Sequence, residues 1–272
     1  MRERAPAKIN LCLLVGPPRA DGRHELLSVV AAVTLFDELS IEDGERDEVI
    51  CPGVEGPNLA AEALRAFRAA TGWDGPPQRI EISKRIPVAA GMGGGSADAA
   101  AALRLLARRS GLRDARALGA IAAALGSDVP AALAPGRVLI RGGGEIVEPL
   151  AATAPFGVLV LPSRARLSTA AVYAEADRIG RLRSAAELAD ADPLAAVGTN
   201  DLEAAARALE PSIGDALARA RAAGAGTAMV CGSGPTVIGL FDGPAAAEAA
   251  AAALRAAGVE ALAAAPFDAA SD

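Results

Sequence analysis

The sequence of 272 residues predicts an α+β fold, and three observations lead to that prediction. Runs that suit strands and runs with helical spacing both recur along the chain. They do not alternate strictly, as they would in a doubly wound sheet. The hydrophobic fraction is 52%, but alanine supplies much of it and aromatic residues are only 3%. The core is therefore expected to consist of small aliphatic side chains, in one large domain or two lobes.

The first half of the chain begins with strands and continues with helices. Residues 6–15 alternate and then turn apolar, which suits a strand, and Gly16, Pro17 and Pro18 are expected to end it. Residues 58–71 have helical spacing with Gly72 after them, which indicates a helix and its end. The further predictions in this half are strands over 26–35, 39–42 and 79–83, helices over 96–109 and 115–125, and a hairpin of 137–140 with 145–150.

The second half continues the mixture of strands and helices, with no internal repeat. A boundary is indicated near residues 150–155, although no disordered linker marks it. The predictions here are a strand over 156–161, a helical region from 168 to 177, helices over 201–209 and 211–223, a strand pair of 227–231 with 236–241, and a helix over 244–257. This order again favours α+β.

Composition excludes several classes of protein. The net charge of -6 is spread along the chain without a basic patch, which argues against nucleic acid as a partner. The most apolar run, near 245–257, is interrupted by Glu248 and Arg255, so we expect no membrane span. The first residues show no apolar signal core, and the cytoplasm is the expected location. Three scattered cysteines and one histidine make a zinc site very unlikely.

Scarce residue types identify candidates for chemistry. Lys8 and Lys84 are the only lysines among the 27 basic residues, and His24 and Tyr173 are the only histidine and tyrosine. Arginine cannot replace a compact ammonium group that donates three hydrogen bonds. A residue type that is retained in so biased a composition can therefore mark a position whose chemistry the commoner residue type cannot perform. The alternative for each residue is survival by chance.

A glycine-rich segment, residues 87–98, leads directly into a predicted helix. Four of the five residues from 91 to 95 are glycine, which suits a backbone that approaches a ligand closely. Backbone amides and the positive end of the helix would bind an anion there. Ser96 is predicted to cap the helix and to offer its hydroxyl to a phosphate or to Mg²⁺. No lysine follows the glycines as in a Walker A loop, and Ser96 breaks the dinucleotide pattern. A flexible surface loop is the alternative.

This segment resembles the central motif of the GHMP kinases. Residues 6–11 and 232–237 are similar to the N-terminal and C-terminal motifs of the same superfamily, so the resemblance spans nearly the whole chain. It implies a two-lobed fold, with a mixed-sheet lobe over 1–150 and a ferredoxin-like lobe over 151–272, and an active site between them. It also implies ATP as the phosphate donor, Mg²⁺, and a monomer or homodimer. The ATP-binding residues that it implies are Pro87, Val88, Ala89, Ala90, Gly91, Met92, Gly93, Gly94, Gly95, Ser96, Ala97, Asn58, Lys84, Ser233, Gly234 and Thr236.

Four segments are similar to one branch of the superfamily, which acts in the non-mevalonate isoprenoid route. They are residues 6–11, 21–26, 126–130 and 200–203. The resemblance implies transfer of the γ-phosphate of ATP to the 2-hydroxyl of 4-diphosphocytidyl-2-C-methyl-D-erythritol. A kinase for another small alcohol, such as homoserine or a mevalonate derivative, is one alternative. A nucleotide-binding protein without catalysis is the other.

By the same resemblance, Asp128 is the general base and Lys8 its partner. An alcohol is a poor nucleophile, so a carboxylate within hydrogen-bond reach must take its proton as phosphorus is attacked. A nearby ammonium would keep that carboxylate ionised and stabilise developing negative charge. For Asp128 alone, the alternative is an aspartate in a turn or helix cap, the commoner fate of Gly-Ser-Asp.

Asn10 and His24 are implied to read the cytidine part of the substrate. The family usually has tyrosine before that histidine, to stack on cytosine, and this sequence has Arg23 instead. A guanidinium group is planar and can stack on a base, so we expect cytosine to lie between Arg23 and Tyr173. The alternative is an Arg23 that points to solvent. For Asn58, a role as a plain helix N-cap is almost as good an explanation as a role near adenine. For Lys84, the alternative to a role near the nucleotide is a lysine that is exposed to solvent.

Overall fold

The structure is a computed structural model that describes residues 1–88 and 90–267, and it divides into two compact units. Unit 1 comprises Met1–Ala7, Leu35–Val88 and Gly93–Pro135. Unit 2 comprises the described parts of Lys8–Thr34, Ala89–Met92 and Gly136–Asp272. The chain therefore passes repeatedly from one unit to the other along its length. The division into lobes at residue 150 stays a prediction.

Strands and helices are mixed along the chain, as predicted for α+β. The strands of the described residues are β1 (Arg2–Pro18), β2 (His24–Asp43), β3 (Glu48–Ile50), β4 (Gln78–Ser83), β5 (Arg137–Gly142), β6 (Ile146–Pro149), β7 (Gly157–Leu161), β8 (Thr227–Val230), β9 (Val237–Phe241) and β10 (Leu262–Ala264). The helices are α1 (Leu59–Thr71), α2 (Gly94–Ser110), α3 (Ala115–Leu125), α4 (Val129–Leu133), α5 (Thr169–Ile179), α6 (Ala185–Ala189), α7 (Glu203–Leu209), α8 (Ser212–Ala222) and α9 (Pro244–Ala256).

Unit 1 packs α1 to α4 on a small sheet. Residues 38–43 of β2 pair with β4 in antiparallel register, and β3 pairs with β4 in parallel. The four alanines of residues 99–102 in α2 are completely buried, and Phe67 of α1 is the largest side chain in this core. A helix buried on all sides needs small side chains so that its neighbours can approach closely. The alanines of α2 therefore allow its neighbours to enclose it closely.

Unit 2 contains a four-stranded antiparallel sheet in the order β10-β7-β9-β8. In chain order the strands are β7, then helices, β8, β9, α9 and β10, which is the β-α-β-β-α-β arrangement of a ferredoxin-like fold. This confirms the predicted fold of the C-terminal half. Apart from this sheet, residues 26–31 of β2 pair with β5, and β5 pairs with β6.

Two details of the predicted secondary structure are wrong. β1 does not end at Gly16 but continues through Pro17 and Pro18, which are exposed at its end, where a missing N–H costs little. The two strands predicted over 26–35 and 39–42 are one strand, β2. Asp37 lies between the two predicted segments, and its buried carboxylate accepts hydrogen bonds from the backbone N–H groups of Arg85 and Ile86.

Short elements escaped prediction. β3, α4, α6 and β10 each have three to five residues, too few for a periodic pattern to emerge. Among the described residues, no helix combines the length and apolar character needed to cross a membrane.

Candidate functional site

Two glycines of the predicted phosphate loop have left-handed backbone conformations. The φ angle is 71° at Gly91 and 67° at Gly93. Gly93 is the N-cap of α2, and among the described residues no side chain caps it. The N–H of Ala97 donates to the carbonyl of Gly93 (2.8 Å), so the helical amides before Ala97 lack an intrahelical acceptor. A helix start of this kind can bind a phosphate through its amides and its dipole.

The prediction that Ser96 caps this helix is wrong. α2 begins at Gly94, so Ser96 is the third residue of the helix. A glycine can take the left-handed conformation that the turn before α2 requires, and the turn therefore ends earlier than the serine suggested. The side chain of Ser96 is partly exposed in the first helical turn, where its hydroxyl can still contact a phosphate at the amides or a cation bound to that phosphate. Ala89 lies outside the described residues.

The second glycine motif, residues 232–237, is anchored within unit 2 by Asn200. This buried amide donates hydrogen bonds of 2.8 Å to the carbonyl oxygens of both Val230 and Gly232. The hydroxyl of Ser233 lies 3.0 Å from that of Thr169. Thr236 is fully buried, and its Oγ1 has no hydrogen-bond partner among the described residues. Thr236 thus lies beneath the motif, whereas the Ser233 hydroxyl lies at the surface.

Lys8 and Asn10 are brought together on β1. The Lys8 ammonium donates to Asn10 Oδ1 (2.9 Å), Asn10 Nδ2 donates to Ser28 Oγ (2.8 Å), and Ser28 Oγ donates to the carbonyl of Cys12 (2.6 Å). The backbone N–H of Lys8 donates to the carbonyl of Met92 (2.9 Å), which connects β1 to the glycine-rich loop. Since Asn10 and Ser28 are buried, this chain of hydrogen bonds fixes the direction of the lysine.

Asp128 occupies the N-cap position of α4, but its side chain makes no capping hydrogen bond. Asp114, at the same position of α3, accepts hydrogen bonds from the N–H groups of Arg116 (2.9 Å) and Ala117 (3.0 Å). The two aspartates therefore occupy equivalent positions in unit 1 and differ in what their carboxylates do. Capping by a hydrogen bond, the alternative raised for Asp128, does not account for its side chain.

The predicted substrate residues His24 and Tyr173 lie together in unit 2. Their ring centroids are 5.0 Å apart, and His24 Nε2 lies 2.9 Å from Asp177 Oδ1. Arg23 instead makes two hydrogen bonds with Asp21 Oδ2, through Nε (3.1 Å) and Nη2 (2.8 Å). Its guanidinium group also lies against Gly143, whose carbonyl accepts a hydrogen bond of 3.3 Å from Nη1. Arg23 is thus held in place, with half of its side chain exposed.

Lys84 is not a solvated lysine, because it belongs to a buried cluster of charges in unit 1. Its ammonium contacts Asp37 and lies 2.8 Å from Asp98 Oδ2. The lysine side chain is only 14% exposed. Burial lowers the pKa of Lys84, but the two carboxylates outweigh burial and hold that pKa above its ordinary value. A Cβ on Gly94 would lie 3.3 Å from the Lys84 ammonium, so this cluster lies directly beside the first turn of α2.

An open cavity of about 510 Å³ adjoins this cluster. Its lining combines the apolar Ile50 and Leu39 with the polar Ser83 and with Lys84 itself. Cavities of roughly 300–1,000 Å³ are typical of small-molecule sites. Asn58, the other residue predicted near the nucleotide in unit 1, caps α1 by accepting a hydrogen bond from the N–H of Ala60 (2.9 Å). A structural role for Asn58 is therefore sufficient.

Asp98 should make stability depend on pH. Burial raises the pKa of its carboxyl group to about 7, despite the nearby Lys84 ammonium. A carboxyl group whose folded pKa exceeds its unfolded pKa stabilises the fold at low pH, and that contribution is lost as pH rises through about 7. Between pH 5.5 and 7 the loss should be about 1.5 kcal/mol. In thermal unfolding measured across this pH range, the stability of Asp98→Asn should decline less than that of the wild type. Asp114→Asn, the control, should decline as the wild type does. An equal decline in all three proteins would contradict the prediction.

Several side chains of these clusters were not predicted from the sequence. Asp37 and Asp98 bind Lys84, Ser28 supports Asn10, and Asp177 contacts His24. Asp177 could have been found, because it lies four residues after Tyr173 and so on the same face of a helix. Asp37 and Ser28 could not, because they lie on β2 and meet their partners only through strand pairing.

Comparison with known families and proteins agrees with this architecture. Residues 58–136 match the family model of the GHMP kinases N terminal domain, and residues 172–260 match that of the GHMP kinases C terminal domain. A homoserine kinase structure from Cytophaga hutchinsonii shares the fold, with a TM-score of 0.66 and 19% identity over 98% of this chain and 94% of its own.

Similarity to one branch of these kinases is much higher. A 4-diphosphocytidyl-2-C-methyl-D-erythritol kinase from Anaeromyxobacter sp. strain Fw109-5 is 43% identical, over 87% of this chain and 81% of its own. A 4-diphosphocytidyl-2-C-methyl-D-erythritol kinase from Streptomyces avermitilis is 41% identical, over 94% of this chain and 92% of its own. A crystal structure of a 4-(cytidine 5'-diphospho)-2C-methyl-D-erythritol kinase superposes with a TM-score of 0.80 and 35% identity, over 97% of this chain and 98% of that one. The predicted resemblance is confirmed: this chain belongs to the GHMP kinases, and within them to the 4-diphosphocytidyl-2-C-methyl-D-erythritol kinase family.

Proposed function

We propose that this protein transfers the γ-phosphate of ATP to the 2-hydroxyl of 4-diphosphocytidyl-2-C-methyl-D-erythritol, as a cytoplasmic enzyme of the non-mevalonate isoprenoid route. The observation that carries the proposal is the start of α2, where Gly93 in a left-handed conformation leaves the first helical amides without a side-chain cap. Such a site suits a phosphate group. The name and the high identity of the relatives supply the acceptor alcohol.

The loop from Pro87 to Ala97 binds the triphosphate in this proposal, together with the second glycine motif. Ser233 has its hydroxyl at the surface, and Gly234 keeps a left-handed φ of 81° beside it. Thr236 would support this motif from beneath, since its side chain is buried. The adenosine part would occupy the cavity beside Lys84, with Asn58 at the start of α1 as a further candidate.

Mg²⁺ would arrive with the nucleotide. Among the described residues, no group of three or more His, Cys, Asp or Glu side chains could hold a metal ion. Mg²⁺ does not require such a group, because phosphate oxygens and water commonly fill most of its six positions. The hydroxyl of Ser96, in the first turn of α2, suits one remaining position. The ion would neutralise phosphate charge as the γ-phosphoryl group leaves.

Catalysis would depend on Asp128 as the base and Lys8 as its cationic partner. The carboxylate takes the proton of the attacking hydroxyl, and the ammonium stabilises the oxygen as it gains negative charge. The hydrogen bond from Lys8 to buried Asn10 restricts the lysine and so reduces the entropy lost when it meets the substrate. Asn10, His24, Arg23 and Tyr173 would bind the cytidine part, with cytosine between Arg23 and Tyr173.

A direct assay separates this proposal from its alternatives. The purified protein is incubated with ATP, Mg²⁺ and one of three acceptors: 4-diphosphocytidyl-2-C-methyl-D-erythritol, homoserine or mevalonate. We expect a phosphorylated product, detected by mass spectrometry, only with the first acceptor. Phosphorylation of either other alcohol would indicate a different small-alcohol kinase. ATP binding without turnover of any acceptor would indicate a non-catalytic nucleotide-binding protein.

A further inference from the structure

The single histidine of the chain is held by a carboxylate that neither the family motifs nor the proposed reaction assigns. His24 is 8% exposed, and its Nε2 lies 2.9 Å from Asp177 Oδ1. The carboxylate, in contrast, is 48% exposed and remains in contact with water. An ionised carboxylate can only accept hydrogen bonds, so Nε2 must carry the proton.

This contact determines what the other ring nitrogen can do. In neutral imidazole one nitrogen donates and the other accepts, and the partner of the first decides which is which. When the ring is neutral and Nε2–H donates to Asp177, Nδ1 of His24 is an acceptor. Among the described residues, a hydrogen-bond partner is found for Nε2 of His24 but not for Nδ1.

Helix α5 presents Asp177 and Tyr173 to the same histidine. The two residues are four positions apart and therefore lie on one face of the helix. Tyr173 packs against the imidazole ring with a tilt of 37° between the ring planes. The ring is thus restrained both at its edge, by the carboxylate, and on its face, by the tyrosine, so its acceptor nitrogen has a fixed direction.

We propose that Asp177 is a positioning residue that makes the substrate site select cytosine over uracil, by holding His24 with Nδ1 as a hydrogen-bond acceptor. This inference rests on the proposed function. Cytosine carries an amino group, a donor, at the position where uracil carries a carbonyl oxygen, an acceptor. Nδ1 accepts a hydrogen bond from the cytosine amino group. Against uracil it places one acceptor opposite another.

The expected selectivity follows from that mismatch. A site built to pair with a polar group rejects an analogue that cannot pair, because its own buried group is then left without a partner. Stacking against Tyr173 or Arg23 cannot provide this selection, since both bases present a similar planar face. Asn10, the other polar side chain assigned to the cytidine part, already uses its oxygen for Lys8 and its nitrogen for Ser28. Selection between the bases therefore depends on the edge of the imidazole ring.

Kinetics with two substrates tests the role of Asp177. The wild type should prefer 4-diphosphocytidyl-2-C-methyl-D-erythritol over its uridine counterpart, and Asp177→Ala should reduce the ratio of kcat/KM values by about tenfold or more. The change should appear in KM for the cytidine substrate, with the KM for ATP unchanged. Glu175→Ala, which removes a carboxylate of α5 that pairs with Arg178, should keep the wild-type ratio. Arg23→Ala should raise KM for the cytidine substrate and for its uridine counterpart by the same factor.

An unchanged ratio in Asp177→Ala, or a wild type that does not distinguish the two bases, would overturn the inference. If the wild type phosphorylates neither substrate, the proposed function fails instead, and a second measurement on the free protein still decides the role of Asp177. Because His24 is the only histidine, ¹⁵N-histidine labelling gives the signals of one imidazole ring. At a pH at which the ring is neutral, the wild type and Glu175→Ala should show the Nε2–H form alone, and Asp177→Ala a mixture of both forms. A wild type with the proton on Nδ1 would overturn the inference.

Discussion

Replacing Asp128 with asparagine should reduce kcat by about 10²- to 10⁴-fold, the usual contribution of a general base. Asparagine has almost the same shape but cannot take the proton of the acceptor hydroxyl. The affinity for ATP should change little, because in the proposed site the amides of the glycine loop, and not Asp128, bind the phosphates. Steady-state kinetics with saturating ATP, together with ATP binding measured by calorimetry, would separate the two quantities.

Asp114→Asn is the matched control for this experiment. Asp114 occupies the same N-cap position on a neighbouring helix of unit 1 and makes the capping hydrogen bonds that Asp128 lacks. Its replacement should change stability little, because asparagine caps a helix about as well as aspartate does, and should leave kcat intact. The opposite pattern, in which Asp128→Asn loses stability but phosphorylates at the wild-type rate, would show that Asp128 is only structural.

The sequence predicted those features of the fold that depend on local patterns. Capping residues and periodicity were enough for α1, where Asn58 and Gly72 mark the two ends. The glycine-rich loop was also found, because glycines at this density contribute no packing and suit a backbone that must approach a ligand. The residue at which α2 begins after this loop was not predicted correctly. Several glycines lie side by side there, and residue type alone does not show that Gly93 is one that takes the left-handed conformation.

The supporting residues depend on tertiary structure and were largely missed. Asp37 accepts hydrogen bonds from the backbone of residues 85 and 86, nearly fifty positions away, and Asp98 reaches Lys84 across the start of α2. No spacing in the sequence encodes such contacts. The sequence therefore indicates which residues can perform the chemistry, whereas the residues that hold them in place emerge only from the packed structure.

Replacing Gly91 with alanine should damage both stability and nucleotide binding. A side chain at a φ of 71° costs about 1–2 kcal/mol. In addition, a Cβ at this position would collide with the carbonyl oxygen of Cys231, and a backbone atom cannot rotate away as a side chain can. The loop must therefore shift, and a displacement near 1 Å can reduce catalysis by about 10²-fold. We expect kcat/KM for ATP to fall by about that factor.

Gly111→Ala separates the collision from the backbone strain. Gly111 follows α2 with a φ of 75°, yet a Cβ there would meet no atom within 4 Å. Its replacement should cost only the strain, about 1–2 kcal/mol in urea unfolding, and leave the kinetics with ATP unchanged. Gly91→Ala should lose more than this, because the glycine-rich loop lies against the Cys231 backbone and has no room for a methyl group. Equal losses in the two variants would mean that this close approach does not hold the loop, and that its geometry depends on the left-handed glycines alone.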